Sequence, residues 1–474
     1  MTSSTNGSQG SGQSNTDALD PTIFKAYDIR GIVDKSLTSD AVYRIGLAIG
    51  SEAQARGEKH IYIGRDGRLS GPKLIAQLAK GLQDSGCDVT DVGMVPTPVL
   101  YFAAYELGSG SGIMLTGSHN PPDYNGLKMV VGGTTLSGDD IQHLRQRIET
   151  GNLSSGAGSY ETLDVVPQYI NRITSDIKLA RKMKVIVDCG NGVPGAVAPS
   201  LLRELGCEVT EMFCDVDGNF PNHHPDPSKP ANLQDLIKAL AESDADIGLA
   251  FDGDGDRLGV ITPEGEVIWA DRQLMLYARD ILARNPGGDI IFDIKCTTKL
   301  PKVIEQAGGH PIMWKTGHSF IKAKLKETGA LLAGEMSGHI FFKERWYGFD
   351  DALYTASRLL EILSKDSRRA TDIFAELPDS INTPELNLNM DEGEHHKLIT
   401  KLVANAKFAG AKLTTIDGVR ADWDDGFGLV RASNTTPCLV FRFEGDNEAA
   451  LERIKDEFRA LVKAQADAGT VIPF

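Results

Sequence analysis

His60-Ile-Tyr-Ile-Gly-Arg-Asp66 is a short apolar run closed by a polar turn. A run of this length between turn signals reads as a buried strand. An amphipathic stretch near 72–84 follows, and Gly86-Cys-Asp-Val89 caps it and enters the next strand. The same order returns at Lys184-Val-Ile-Val-Asp188, with a helix near 195–205 and Gly206-Cys-Glu-Val209. It returns again at Asp289-Ile-Ile-Phe-Asp293, with a helix near 298–307 and Gly308-Gly-His310. Strand, turn, helix, glycine, strand is the unit of a parallel sheet with right-handed crossovers. Copies more than 100 residues apart are too widely spaced for a solenoid. They predict three related α/β domains with functional loops near strand ends, where open α/β sheets bind ligands.

Outward from the repeat, the pattern changes at both ends. Residues 1–19 are Ser, Thr, Gly, Asn and Gln with little that is apolar, which predicts a disordered tail with structure from about Pro21. Near the C-terminus, Leu386-Asn-Leu-Asn-Met390 alternates and a helix is expected at about 394–407. Leu413 to Trp423, Gly428 to Arg431 and Leu439 to Phe443 read as antiparallel strands, and a helix at 447–465 closes the chain. This is an α+β domain. The expected division is 1–19 tail, 20–164, 165–266, 267–378 and 379–474.

The totals set limits. A chain of 474 residues is too long for one ordinary domain. Its 41% hydrophobic and 24% charged residues suit a soluble globular protein. A net charge of −16 argues against nucleic acid and membrane surfaces as partners, while leaving room for a local basic site. The six cysteines are scattered with no Cys-x-x-Cys pair, which points to a reducing cytoplasm rather than a disulfide framework. No apolar run approaches the ~20 residues that span a bilayer. The N-terminus has no secretory signal pattern. No heptad or spare apolar stripe stands out, so a monomer is expected.

Four loops carry chemistry. Thr116-Gly-Ser-His-Asn-Pro-Pro122 follows the apolar Ile113-Met-Leu115 and presents Ser118 on a stiff turn, with glycine expected to allow the sharp bend. A serine needs a base, a metal or a preloaded group to act as a nucleophile. Asp252-Gly-Asp-Gly-Asp-Arg257 sets three carboxylates at i, i+2 and i+4, able to curl around one hard cation, Mg²⁺ or Ca²⁺. An EF-hand is excluded, because Arg257 stands at its sixth position and Pro263 at its twelfth. Gly334-Glu-Met-Ser-Gly-His339 offers a carboxylate, a hydroxyl and an imidazole, with Glu335 suited to accept from sugar hydroxyls. Gly428-Leu-Val-Arg-Ala-Ser-Asn-Thr-Thr-Pro437 joins a guanidinium to hydroxyls and free backbone N–H groups, as a phosphate dianion requires. Lys25 and Arg30, in Phe24-Lys-Ala-Tyr-Asp-Ile-Arg-Gly31, and Lys128 are candidates for phosphate contact or proton transfer. His223-His224 lacks a third ligand at zinc-site spacing and reads as a rigid turn.

With these four motifs in this order, the chain resembles the α-D-phosphohexomutase superfamily from about Phe24 onward, and most closely its bacterial phosphomannomutase/phosphoglucomutase branch. The resemblance implies four domains around a central cleft. It implies that Ser118 carries a phosphoryl group beside Mg²⁺ held by Asp252, Asp254, Asp256 and Ser118. Glu335 and Ser337 match sugar-hydroxyl contacts. Arg431, Ser433, Asn434 and Thr435 match the distal phosphate site. Lys295, Thr316, Gly317 and His318 match further substrate contacts, and Tyr27, Arg257 and His339 stand in the same motifs. Lys128, Arg30 and His119 are the expected acid/base and electrostatic assistants. The implied reaction interconverts mannose or glucose 1-phosphate with the 6-phosphate through a 1,6-bisphosphate, with glucose 1,6-bisphosphate as activator. Phosphoglucosamine mutase is the nearest alternative, and Met336 together with the Phe24–Gly31 segment resembles the mannose/glucose branch more. A phosphatase and a non-catalytic sugar-phosphate sensor are the others. The distal phosphate loop counts against the first, and the intact serine and aspartates count against the second.

Overall fold

The computed structural model describes residues 18–108, 110–467 and 469–474. Most of the expected tail lies outside these residues. Leu19, assigned to the tail from sequence, packs against the first domain's core, and Asp20 caps the short turn Pro21–Ile23.

Three sheets repeat one plan. In the first, Gly112–Leu115, His60–Arg65 and Asp88–Met94 lie parallel in that spatial order, and Tyr124–Val131 joins Gly112–Leu115 antiparallel. In the second, Ile247–Phe251, Lys184–Asp188 and Glu208–Met212 are parallel, with Leu258–Ile261 antiparallel beside the first of them. In the third, Leu332–Gly334, Asp289–Asp293 and His310–Trp314 are parallel, with Ile340–Phe342 antiparallel beside Leu332–Gly334. The two strands of each sequence repeat thus acquire a third parallel strand and a reversed fourth. In all three sheets the loop between the third and fourth strands carries a motif: 116–123, 252–257 and 335–339. The first sheet is widened by Ile29–Ile32 on Tyr124–Val131 and by Tyr160–Thr162 on Asp88–Met94.

The helices follow their apolar spacing. Gly71–Ser85 buries Leu74, Ile75, Leu78 and Leu82, one stripe at helical period, and covers the sheet with it. The helix expected near 195–205 is broken into the 3-10 turn Val193–Ala196 and the helix Ala198–Glu204. Pro194 and Pro199 each open a new turn, because proline supplies no N–H to continue the one before.

The last domain is an antiparallel sheet in the order Ile381–Asn382, Cys438–Gly445, Gly426–Ala432, Val419–Trp423 and Lys412–Thr414, with Leu386–Asn389 also on Cys438–Gly445. The stretch Leu413 to Trp423 is a hairpin rather than one strand, turned at Gly418 with φ 86°. The helices Glu394–Asn405 and Glu448–Gln465 cover it.

The cores show how the domains join. One apolar cluster runs from Tyr62, Val99 and Met114 through Val185, Leu249 and Val260 to Leu274, Phe342 and Phe374, so the first three domains share a core. Among the described residues, the last domain meets them through Ile294, Phe427 and Leu429 as a small cluster of fully buried apolar residues, with Arg420 donating to the carbonyls of Ile294 and Cys296.

Tyr169 OH donates to both oxygens of Asp351, at 2.8 and 2.9 Å, and Asp351 caps the helix Ala352–Ser364. Burial drives this carboxyl up to about 7. Its folded pKa therefore exceeds its unfolded one, so the unfolded state ionises first and stability falls as pH rises from about 4 to 7. Asp351→Asn is expected to flatten that decline and to leave the protein about 2–4 kcal/mol more stable than the parent at pH 8. Denaturant titrations of both proteins at pH 5 and pH 8 measure it; parallel pH slopes would refute it.

Candidate active site

The serine loop is fastened from beneath. Asp66 Oδ2 accepts from Thr116 Oγ1 at 2.8 Å and Gly117 N at 3.1 Å, and also from Arg68 Nε at 3.1 Å. Arg68, whose side chain is 0% exposed, then donates to the carbonyls of Ser118 (2.9 Å), Asn120 (2.6 Å), Pro121 (2.5 Å) and Tyr124 (2.9 Å). Gly117 has a role other than the expected bend. Its backbone stays out of the left-handed region, and a Cβ there would lie 2.3 Å from the Arg68 guanidinium. The left-handed residue is Ser118 itself, at φ 49°. Such a conformation costs of order 1–3 kcal/mol and persists only where surroundings enforce it. Replacing Arg68 by Met should cost about 3–5 kcal/mol, because it strips four carbonyls of their donor and leaves Asp66 buried without its cation. The thermal midpoint should drop and turnover should fall with it; a midpoint unchanged from the parent would show that the clamp is dispensable.

The aspartate loop lies under the serine. Asp252 Oδ1 accepts from the backbone N–H of Gly255 (3.0 Å), Asp256 (3.1 Å) and Arg257 (3.1 Å), which wraps the loop around that carboxylate. Gly253 is required by close approach, since a Cβ there would meet Ser118 O at 2.4 Å. Ser118 Oγ is 3.2 Å from Asp252 Oδ2 and 3.1 Å from His119 Nδ1. Thr97 Oγ1 donates to Asp254 Oδ2 at 2.6 Å, and Lys128 Nζ donates to the same oxygen at 2.8 Å and to Asp256 Oδ2.

The electrostatics follow from burial and these partners. Burial alone would neutralise Lys128, but Asp254 and Asp256 outweigh it and hold the ammonium above the usual lysine range. Burial, with Asp256 and Asp254 alongside, pushes Asp252 well up. Burial and the nearby Arg257, Arg30 and Lys128 push His119 well down, so its imidazole is neutral at pH 7.

These residues fit a hard cation. One oxygen from each of Asp252, Asp254 and Asp256 falls within 4.8 Å of the others, all buried, and Asp254 Oδ1 has no hydrogen-bond partner among the described residues. Lys128, with Arg257 3.9 Å from Asp252 and His339 3.3 Å from Asp256, balances part of this charge, and the crowded oxygen donors select Mg²⁺-like ions over softer ones.

Two further loops face the serine across a cleft of about 770 Å³, within the range of small-molecule sites. Glu335 Oε1 accepts from Gly317 N at 2.5 Å, and its Oε2 lies 3.1 Å from His339 Nδ1, with Ser337 Oγ 3.0 Å from the same nitrogen. Burial works against charge on His339, but Asp256 and Glu335 raise its pKa to about 9. In the last domain Arg431 Nε donates to Asp417 at 2.9 Å, while its buried Nη2 has no hydrogen-bond partner among the described residues. Thr435 N and Thr436 N both donate to Ser433 Oγ, at 3.3 and 3.2 Å. Lys295 Nζ donates to Glu385 at 2.6 Å, and Thr316 Oγ1 to Asp293 at 2.9 Å.

The cleft is lined by Tyr27, Arg30, Ser118, His119, Lys128 and Arg257, by Lys295, Thr316, Gly317, His318, Glu335, Ser337 and His339, and by Arg431, Ser433, Asn434 and Thr435. Asp252, Asp254 and Asp256 sit beneath this lining, fully buried. Lys25 stands outside the cleft. His223 bonds Asp188 at 2.9 Å, and His224 Nε2 bonds the carbonyl of His119, so His224 braces the serine loop. Sequence reasoning missed Arg68, Thr97, His224, Glu385 and Asp417 as supports. For Arg68 a signal was present, the Arg65-Asp-Gly-Arg68 turn closing the first repeat's strand.

Known proteins place this arrangement. The family descriptions of phosphoglucomutase/phosphomannomutase match in order: alpha/beta/alpha domain I at residues 21–154, domain II at 167–265, domain III at 269–381 and the C-terminal domain at 385–461. A Pseudomonas aeruginosa phosphomannomutase/phosphoglucomutase is 59% identical over 456 residues, 96% of this chain and 98% of that protein. A Neisseria meningitidis phosphoglucomutase is 58% identical over 446 residues, 93% of this chain and 97% of that one. The crystal structure of a phosphoglucomutase/phosphomannomutase family protein from Burkholderia thailandensis superposes with a TM-score of 0.92 at 55% identity, covering 96% of this chain and all of that one. On the four domain matches and this likeness along nearly its whole length, the chain belongs to the phosphoglucomutase/phosphomannomutase family.

Proposed function

We propose that this enzyme is a phosphohexomutase that interconverts the 1-phosphate and 6-phosphate of glucose and mannose. The observation that carries the reading is that the Ser118 hydroxyl and a separate anion-receiving loop at Arg431–Thr435 face one cleft. A phosphatase needs only the first; a mutase must hold one phosphate while the other is transferred.

Phosphorylated Ser118 meets a hexose monophosphate whose own phosphate lies on Arg431, Ser433, Asn434 and Thr435. Glu335 and Ser337 hold the sugar hydroxyls, with Lys295, Thr316, Gly317, His318 and Tyr27 around them. The free sugar hydroxyl attacks phosphorus; the P–Oγ bond breaks as the new P–O bond forms, and the sugar hydroxyl's proton ends on Ser118 Oγ, giving a 1,6-bisphosphate and the serine hydroxyl. The bisphosphate turns end for end, so the same distal loop receives the new phosphate and the old one returns to Ser118. Transfer of this kind depends on positioning and charge stabilisation rather than on covalent chemistry by the protein. Asp252, Asp254, Asp256 and Ser118 would hold Mg²⁺, which supplies positive charge beside the transferring phosphoryl group when bound.

The protein's own groups divide the remaining work by charge. Lys128 is held as a cation by its aspartates, so it stabilises charge rather than accepting a proton. Neutral His119, 3.1 Å from Oγ, is placed to take the serine proton when Ser118 is the nucleophile. Arg30 adds a second cation at the mouth of the serine loop, paired with Asp28 and bonded to the Asn120 side chain. The scattered free cysteines suit a reducing cytoplasm, where the enzyme works as a monomer on soluble hexose phosphates, with glucose 1,6-bisphosphate priming Ser118.

Phosphorus NMR tests the reading with purified protein, Mg²⁺, a trace of glucose 1,6-bisphosphate, and glucose 1-phosphate or mannose 1-phosphate in turn. The matching 6-phosphate from both sugars is the expected product. Inorganic phosphate alone would make the protein a phosphatase, and unchanged substrate would remove the mutase reading.

A further inference from the structure

We propose that Cys189 and Cys214 form a reversible disulfide under peroxide, and that this modification lowers turnover by shifting the metal loop. Their sulfurs lie 3.6 Å apart. Cys189 directly follows the strand Lys184–Asp188 and Cys214 stands two residues past its parallel neighbour Glu208–Met212, the strands being paired through Asp188 and Met212. That pairing fixes the two loops at one sheet end. The separation is a van der Waals approach, and closing it to the ~2 Å of a disulfide draws the two loops that carry the sulfurs roughly 1.5 Å together.

The two cysteines differ in access. Cys214 is half-buried, whereas Cys87, Cys189, Cys207, Cys296 and Cys438 are buried. Oxidant therefore reaches Cys214 first. Its thiolate attacks peroxide, the O–O bond breaks, and the products are a sulfenic acid and hydroxide, which is protonated to water. The Cys189 sulfur then attacks the sulfenic sulfur; the S–S bond forms and the S–O bond breaks. The departing hydroxide takes the Cys189 thiol proton and leaves as water. Two thiols lose two electrons in all, and one peroxide becomes two waters.

The connection to the site is short. Gly192 N donates to Cys189 O at 2.7 Å, and Val193 N donates to Gly253 O at 3.1 Å. Gly253 stands between metal-ligand candidates Asp252 and Asp254 and against the Ser118 carbonyl, where a Cβ would come within 2.4 Å. On the other strand, Asn191 N donates to the carbonyl of Phe213, next to Cys214, at 2.7 Å. Drawing the two sulfurs together moves loop 189–193, and a displacement there is passed to the aspartates through these backbone hydrogen bonds. Misplacement of reacting groups on that scale is costly in rate.

The test treats the full-length reduced enzyme with hydrogen peroxide and follows intact mass, peptide mapping and turnover together. The expected result is loss of two hydrogens, a Cys189–Cys214 linked peptide, and turnover reduced about tenfold or more, all reversed by dithiothreitol. C214S, reduced, should keep parental turnover and resist peroxide. C189S should lose the disulfide and accumulate the Cys214 sulfenic acid, captured with dimedone. Three results would overturn the proposal: no linked peptide, a linked peptide with unchanged turnover, or equal peroxide sensitivity in C214S.

Discussion

Ser118→Ala should abolish mutase turnover, by a factor of about 10⁴ or more, while the protein folds and binds hexose phosphates. In the proposed reaction the hydroxyl is the one group through which the phosphoryl passes. His119 is the adjacent nucleophile by position, but its Nδ1 points at the serine oxygen, and its backbone is fixed by His224. Incubation with glucose 1,6-bisphosphate labelled in phosphorus should leave the variant unlabelled and the parent labelled once. Residual turnover within tenfold of the parent would mean that phosphoryl transfer bypasses Ser118. Thermal stability should change little, since alanine keeps the Cβ that bears the strain at φ 49° and Ser118 Oγ makes two polar contacts among the described residues, with His119 and Asp252.

Lys128→Met should lower kcat by about 10²–10³ with KM changed only a few-fold. The ammonium stands at the aspartate loop rather than at the sugar or distal phosphate loops, so its charge matters most when charge develops on the transferring group. The same variant should be destabilised by about 3–5 kcal/mol, because Asp254 and Asp256 lose their buried cation. Added Mg²⁺ should restore part of that stability, by binding the folded form only, and the midpoint of the variant should rise with Mg²⁺ more than that of the parent. Turnover equal to the parent would remove Lys128 from transfer; a raised KM with unchanged kcat would make it a binding residue.

Much of this architecture was readable because it is local. Tyr62 and Ile63, Val185 to Val187 and Ile290 to Phe292 are contiguous buried runs, and each is followed by a helix with its own stripe and a glycine. The four loops were readable because each concentrates unusual chemistry within a few residues. The supports were not, because they come from far along the chain. Thr97 reaches Asp254 across 157 residues of sequence, His224 reaches His119 across 105, and Lys295 meets Glu385 across 90. A threonine before a proline, or a glutamate beside a proline, carries no local sign of that partner. Gly117 illustrates the same limit. Its sequence neighbours suggest a bend, whereas its smallness is demanded by Arg68, a residue distant in the chain.

The way the cores are joined has a thermodynamic consequence. Four domains share two folding units: three fused by a continuous apolar cluster, and one resting on them through Ile294, Phe427 and Leu429 plus polar contacts. Release of the last domain exposes little apolar surface, so it carries a small heat-capacity change, whereas melting of the fused three carries a large one. Separation of the last domain from the other three therefore has a shallow temperature dependence, set on a body whose own unfolding is steep and cooperative.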